Sequence, residues 1–268
     1  MTETKTTPAG IVAVLIFGLW VGTANAVPTF GAKASGSELS TPGLVLDGGP
    51  GSSSSSISQS NFNADASFLT SSTYLPELKA FSRNTTASNS DDITQSRAEA
   101  YQAFTSSVTQ FIDLNVSLHG IVVDISTDVS FVLADVFVYG GSDFEVLESP
   151  ICSDGSLGKF TFDGVYFCGR RLGRSNLFIP EGDVTLPDTL SFSVAAGAEF
   201  GVYAVLRANS SGGSADATQT LSLNFTDDEF ISAVNVPIPP TPVPEPGTLS
   251  LLGAGLLGLG FIRRKRAA

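Results

Sequence analysis

Few residues of this chain could do chemistry, and its two cysteines are the most informative. Cys152 and Cys168 lie 16 positions apart, and there is no third cysteine. In an exported protein, an even pair at this spacing is most simply a disulfide. Closing a loop of that size contributes about 3 kcal/mol to stability. The alternative, a metal site, would need more ligands, and His119 is the only histidine.

Catalytic motifs are scarce. A Ser-His-Asp arrangement would have to use His119, which lies in an alternating segment without a G-x-S-x-G turn. Walker loops, dinucleotide fingerprints and H-E-x-x-H sequences do not occur. Acidic residues cluster at Asp91-Asp92 and Asp227-Asp228-Glu229, and two carboxylates are all that many glycosidases need. Acidic pairs in turns are usually only solvated, so we predict no catalytic residues and no enzyme, with a glycan-acting hydrolase as the least favoured alternative.

Calcium is the one cofactor that the sequence leaves open. Asp124 and Asp128 flank the end of a predicted strand, and Asp154 and Asp163 lie between the two cysteines. Extracellular β-domains bind calcium weakly through loops of this kind. The spacing of an EF-hand is not present, so we assign no metal ligands and predict no other cofactor.

The elements that must position these residues are strands. In FIDLNVSLHG, apolar residues alternate with polar ones, and His119 falls on the polar side. VSFVLADVFVYGG is apolar on both faces and is predicted to stop at Gly140-Gly141. KFTFDGVYF, LSFSVAAG, EFGVYAVLRA and TLSLNF follow, separated by turn residues. SRAEAYQAFTSS is either a weak strand or a short helix. We therefore predict an all-β protein, an antiparallel β-sandwich or jelly roll.

The N-terminal segment has the pattern of a secretory signal. Lys5 precedes the apolar stretch 9–21, and Ala24 and Ala26 form the small-x-small pattern of a signal-peptidase site. We predict a cleaved signal peptide at 1–26 and a mature start near Val27. Because Glu3 weakens the positive region, an uncleaved anchor is the alternative.

The C-terminal segment predicts a single transmembrane helix. The apolar run 247–262 has 16 residues, which as a helix reaches about 24 Å against a hydrocarbon core of about 30 Å. Four basic residues follow directly, and long cationic side chains can reach the headgroups on the cytoplasmic side. A buried core helix is the alternative. The basic stop consists of Arg263, Arg264, Lys265 and Arg266.

This C-terminal segment resembles the PEP-CTERM sorting signal of Gram-negative bacteria. The resemblance rests on Val243, Pro244, Glu245 and Pro246, then the Gly- and Leu-rich span, then the basic cluster. It implies processing near the triplet by an exosortase, which is a membrane-embedded cysteine peptidase. It also implies export to the cell surface and association with extracellular polysaccharide and the biofilm matrix. The activity of the ectodomain is not implied.

The segments give a simple domain organisation. We predict a signal peptide at 1–26, a secreted β-domain at 27–235 with a flexible Gly/Ser stretch at 47–61, a proline-rich stalk at 236–243 and the sorting signal at 244–268. Without the signal and the tail, 9 basic and 25 acidic residues remain, a net charge of −16. Nucleic acid is therefore excluded as a partner, because phosphate binding needs a basic patch.

These predictions favour an exported structural protein of the cell surface or extracellular matrix. Its predicted partners are signal peptidase, exosortase, extracellular polysaccharide and, transiently, the cytoplasmic membrane through 247–262. The alternative is a secreted carbohydrate-binding module, for which Tyr139, Tyr166 and Tyr203 could supply aromatic contacts. The same tyrosines could equally serve strand packing.

Overall fold

The fold is all-β, as predicted. The computed structural model describes residues 29–38, 41–68, 74–84, 93–124, 130–147, 150–152, 158–160 and 165–235. Within these ranges the chain forms strands and no helix. The strands are β1 (Phe30–Glu38), β2 (Thr41–Pro50), β3 (Ser54–Ser58), β4 (Phe62–Phe68), β5 (Pro76–Arg83), β6 (Thr94–Ser106), β7 (Gln110–Asp124), β8 (Phe131–Leu147), β9 (Lys159–Phe160), β10 (Tyr166–Ile179), β11 (Gly182–Val194), β12 (Glu199–Ser210), β13 (Gly213–Phe225) and β14 (Ile231–Ala233).

Two antiparallel sheets pack face to face as a sandwich. The eight-stranded sheet has the order β2-β1-β6-β12-β8-β10-β9, and β14 pairs with the end of β6. The six-stranded sheet has the order β11-β7-β13-β5-β4-β3. Both orders place strands that are far apart in sequence next to each other. The predicted antiparallel sandwich is confirmed.

The core lies between the inner faces of the two sheets. Phe104 of β6 stacks on Phe200 of β12 with ring centroids 5.4 Å apart, and Phe225 of β13 meets Phe104 edge-on at 5.4 Å. All three rings are at most 4% exposed. Burying each such ring stabilises the fold by about 1.5–3 kcal/mol. Side chains alternate along a strand between the two faces of a sheet. Every second side chain of β6 and β12 therefore lies in this core, and the others lie on the outer face of the eight-stranded sheet.

The central strand β6 is the segment that the sequence left undecided between a weak strand and a short helix. It is hydrogen-bonded to β1 on one side and β12 on the other. Its residues from Glu99 to Phe104 are all buried, whichever face they point to. Because both faces are covered there, the alternation that marks a half-exposed strand is missing.

The Gly/Ser stretch 47–61, predicted to be flexible, contains the end of β2 and all of β3. In β3 the side chains alternate between exposed and buried positions. The Ser55 hydroxyl donates to the Asp47 carbonyl at 2.7 Å and accepts from the Ala34 backbone N–H at 2.7 Å. Serine side chains thus satisfy the neighbouring backbone, and parts of this stretch are strand; its flexibility as a whole stays a prediction.

Strand β8 does not stop at Gly140-Gly141, as the sequence had suggested. Its pairing with β10 shifts at this point and resumes where Glu145 lies opposite Cys168. Gly141 and Gly169 have positive φ angles of 123° and 103°, a backbone conformation that glycine adopts at little cost. The glycines bend the β8–β10 ribbon instead of ending it.

The first and last described segments meet at one place. The Thr29 carbonyl accepts from the Ala103 N–H at 2.8 Å, and the Ala103 carbonyl accepts from the Val234 N–H at 2.8 Å. The Thr29 hydroxyl also donates to the Val234 carbonyl at 2.9 Å. The chain therefore enters and leaves the sandwich at adjacent positions beside β6.

The predicted signal peptide 1–26, the stalk 236–243 and the span 247–262 lie outside the described residues. Within the part of the chain that the structure describes, no helix is long and apolar enough to cross a bilayer.

Candidate functional site

The outer face of the eight-stranded sheet carries a polar pocket of about 230 Å³ beside strands β1, β2 and β6. Its lining mixes two cations, one carboxylate, an amide, two hydroxyls and the half-exposed Leu46. Such a mixture of donors and acceptors suits a polar ligand. The lining residues are Lys33, Ser35, Gly36, Ser37, Leu46, Gln95, Arg97 and Glu99.

Arg97 is held in place by a buried chain of hydrogen bonds. Its Nη2 donates to Glu99 Oε2 at 2.8 Å, and the Tyr203 hydroxyl donates to the same oxygen at 2.5 Å. The Glu99 side chain is 5% exposed and that of Arg97 is 33% exposed. Burial raises the pKa of Tyr203 well above its usual value, and the charge and hydrogen bond of Glu99 raise it further. Tyr203 therefore remains a proton donor at neutral pH and fixes Glu99, which in turn fixes the guanidinium.

Arg207 lies directly opposite Arg97 on the neighbouring strand. Directly opposed residues on one face have Cβ atoms about 4.5–5.5 Å apart, where like charges destabilise a sheet. No carboxylate among the described residues forms an ion pair with Arg207. The Nε atoms of both arginines are buried and have no hydrogen-bond partner there. Arg97 is thus paired with Glu99, whereas Arg207 has no carboxylate partner among the described residues, so this arginine pair keeps an excess positive charge.

Another arginine on this face, Arg174, provides a contrast. Arg174 Nη2 donates to Asp135 Oδ1 at 2.9 Å, and Asn176 Nδ2 donates to the same oxygen at 2.8 Å. The Arg174 guanidinium also lies over the Phe137 ring, 5.3 Å from its centroid. The charge of Arg174 is already matched by Asp135, unlike that of Arg207.

The far side of the arginine pair is aromatic. Phe131 lies opposite Asn209 on β12, and Phe178 lies in the same row as Arg207 and Leu133. The rings of Phe131 and Phe178 are 5.6 Å apart, and Phe178 is 47% exposed. The Asn209 Oδ1 atom is buried without a partner among the described residues. An exposed ring, an open acceptor and two cations therefore meet on one face.

The other end of this face is closed by a flap, formed by residues 144–147 and 165–168. Phe167 packs edge-on against Tyr101 with centroids 5.5 Å apart and against Tyr139 at 6.2 Å. Below the flap, Tyr139 and Tyr203 are only 8% and 3% exposed. Two of the three tyrosines considered for carbohydrate contact are thus buried packing residues, while Tyr166 is half-buried.

Cys152 and Cys168 form a disulfide, as predicted. Both are buried, and Glu145 lies beside them. Since both sulfurs are bonded to each other, neither is available as a thiolate ligand, and the metal alternative for this pair is excluded.

The other predicted positions do not assemble into one site. His119 lies on the polar face of β7, and its Nε2 is 3.0 Å from Asp183 Oδ1. The described residues place no serine hydroxyl within hydrogen-bond distance of its ring. Asp124 Oδ1 accepts from the Ser130 N–H, and Asp227 Oδ1 accepts from the Glu229 N–H in an exposed turn.

Several predicted positions lie outside the described residues. They are Ala24, Ala26, Asp91, Asp92, Asp128, Asp154, Asp163, Val243, Pro244, Glu245, Pro246, Arg263, Arg264, Lys265 and Arg266.

Sequence reasoning missed the arginine pair. Arg97 and Arg207 are 110 positions apart, and only strand register brings them together. A local signal existed in Arg97-Ala-Glu99-Ala-Tyr101, where a strand would put all three polar residues on one face. The undecided secondary structure of that segment concealed it.

Comparison with known proteins finds a family match for the C-terminal tail. No curated protein matches the chain. Residues 242–266 match the family model described as the PEP-CTERM protein-sorting motif. That match covers the proline-flanked glutamate, the apolar run and the basic cluster, the same features on which the resemblance rested. Residues 242–266 of the chain therefore carry a PEP-CTERM protein-sorting motif, which supports export and processing by an exosortase.

Proposed function

We propose that this chain is a structural protein of the cell surface or extracellular matrix, retained there by association with extracellular polysaccharide. The proposal rests on the sorting motif at 242–266. This motif follows a sandwich whose last described strand ends at Ala233. The motif supplies the route of export and membrane anchoring before release. The sandwich supplies a durable domain, because its core is continuous and its flap is tied by a disulfide.

A catalytic role has less support from the described residues. The single histidine is paired with Asp183, and the buried carboxylate of Glu99 is bound by both Arg97 and Tyr203. A general acid or base needs an open approach to substrate, whereas the proton-accepting oxygen of Glu99 is already engaged. These contacts favour a binding or structural role.

Fractionation of a bacterial host that carries an exosortase tests the proposal. We expect the mature chain in the surface matrix, co-extracting with polysaccharide, with an intact mass that corresponds to a start near Val27 and an end near Pro246. A matched chain lacking 244–268 should not reach that fraction. Recovery of the processed chain free in the medium, with none in the polysaccharide extract, would contradict the matrix role while leaving export intact.

A further inference from the structure

We infer that the outer face of the eight-stranded sheet binds an anionic polysaccharide, with the arginine pair receiving the carboxylate or sulfate group of one sugar. The inference rests on the proposed function and adds to it the site and the chemical class of the polymer. It concerns Arg97 and Arg207, the polar pocket on one side of them and the Phe131–Phe178 ring pair on the other.

This part of the outer face is positively charged, whereas the whole chain is negatively charged. The chain has a net charge of −12, yet Lys33, Arg97 and Arg207 lie on neighbouring strands of one face. Glu99 is the one carboxylate that lines the pocket among the described residues. An anion placed between the guanidiniums would relieve the repulsion between Arg97 and Arg207. Guanidinium groups match carboxylate and sulfate oxygens with paired hydrogen bonds.

One member of the arginine pair, Arg97, is also rigidly supported. Tyr203 and Glu99 hold Arg97 from below through two short hydrogen bonds, and Tyr203 itself is 3% exposed. A side chain held in this way loses little conformational entropy when it binds a ligand. Arg97 is therefore positioned in advance to hold an anion, unlike a mobile surface arginine.

The surroundings favour a sugar over an acidic peptide. The pocket offers the hydroxyls of Ser35 and Ser37 and the amide of Gln95, groups that match the hydroxyls of a sugar. Phe178 presents a half-exposed ring on the opposite side, on which the apolar face of a pyranose can pack. From β1 to β10 the face spans four strand spacings, about 19 Å. This length accommodates an oligosaccharide segment.

Binding of defined polymers to the full chain, purified in a non-ionic detergent, tests the inference. The probes are polygalacturonate and dextran sulfate, each with its uncharged counterpart, methyl-esterified polygalacturonate and dextran. Poly-L-glutamate is the peptide control. We expect binding of polygalacturonate, dextran sulfate or both, loss of binding to the uncharged counterparts, and weakening as salt rises. The two charged polymers distinguish a carboxylate from a sulfate.

Variants locate the site. Arg207→Gln should weaken binding at least about tenfold, since a hydrogen bond to a charged group is worth roughly 1.5–3 kcal/mol. Arg83→Gln, an exposed position of the six-stranded sheet, makes the same charge change and should bind within about twofold of the wild type. Phe178→Ala should weaken binding, whereas Phe111→Ala, 84% exposed on β7, should not. Thermal melts establish that each variant is folded.

Three outcomes would overturn the inference. They are the failure of both charged polysaccharides to bind, equal weakening by Arg207→Gln and Arg83→Gln, and equally tight binding of poly-L-glutamate. Because the assay uses purified protein, any of these results would leave the location of the chain in the matrix unaffected. Conversely, a chain that binds the charged polymers but is absent from the matrix would contradict only the proposed function.

Discussion

At Tyr203, burial and a neighbouring carboxylate make the stability of the sandwich depend on alkaline pH. Its hydroxyl is neutral when protonated, and burial raises the pKa of Tyr203 well above the usual 10.0, with Glu99 raising it further. The folded state therefore keeps this proton at a pH where the unfolded chain has lost it. Stability from this group is complete below about pH 10 and falls by up to about 1.4 kcal/mol per pH unit as the pH rises toward the folded pKa.

The variant Tyr203→Phe tests this directly. At about pH 8 it should be less stable than the wild type by roughly 1–3 kcal/mol, because Glu99 loses a buried donor. Above about pH 10 the gap should shrink, since only the wild type has the Tyr203 proton to lose. Urea unfolding of both proteins from about pH 8 to pH 11 measures the difference. A gap that stays constant over this range would show that Tyr203 does not titrate with unfolding.

At the scale of elements, the disulfide joins the flap strand β10 at Cys168 to the segment that follows β8 at Cys152. Replacing both Cys152 and Cys168 by serine removes a cross-link that closes a loop of 16 positions, so we expect a loss of about 3 kcal/mol. For a domain of this size that corresponds to a melting temperature lower by roughly 6–12 °C. Calorimetry of the double variant gives the value. Free thiols in native exported protein would contradict the pairing.

Gly201 sets how closely the flap approaches β12. A Cβ atom at this position would lie 2.6 Å from the Phe167 ring and 2.8 Å from the Phe144 ring. Gly201→Ala should therefore displace the flap and cost about 1–3 kcal/mol. Gly173→Ala is the control, because its Cβ would make only an ordinary contact of 3.5 Å with Leu190. Limited proteolysis should cut the flap faster in the first variant alone, and equal rates would refute this account.

The elements also show where sequence patterns suffice. β7 alternates cleanly between apolar and polar residues because one of its faces is solvated, and it was predicted with its polar face correct. The disulfide was predictable because only one pairing of two cysteines exists. β6 was ambiguous because the six-stranded sheet and the flap cover its two faces, which removes the period-two signal. The arginine pair depends on the register between strands that are distant in sequence. Local sequence patterns do not reveal that register, so the pair could not be predicted.

At the scale of the whole molecule, destination should depend on the tail and not on the sandwich. From the sequence we expect Glu245 to be extended, because the flanking Pro244 and Pro246 fix φ and each remove a backbone donor. Glu245→Ala should leave the sandwich folded but strand the chain in the cytoplasmic membrane of a host with an exosortase. Fusion of 242–268 to an unrelated secreted domain should conversely reroute that domain. Normal release of the Glu245→Ala chain would show that the exosortase does not recognise this glutamate.

The contact between Thr29 and Val234 has a mechanical consequence. Since the chain enters and leaves beside the same strand, a pull between the two ends would load only the few hydrogen bonds that join Thr29, Ala103 and Val234. Once these bonds had broken, the adjoining pairs β1–β6 and β14–β6 would carry the tension. A tether at either end would therefore hold the sandwich at a single point beside β6. The outer face with the arginine pair would then change its orientation when the surface that holds the chain is stretched or sheared.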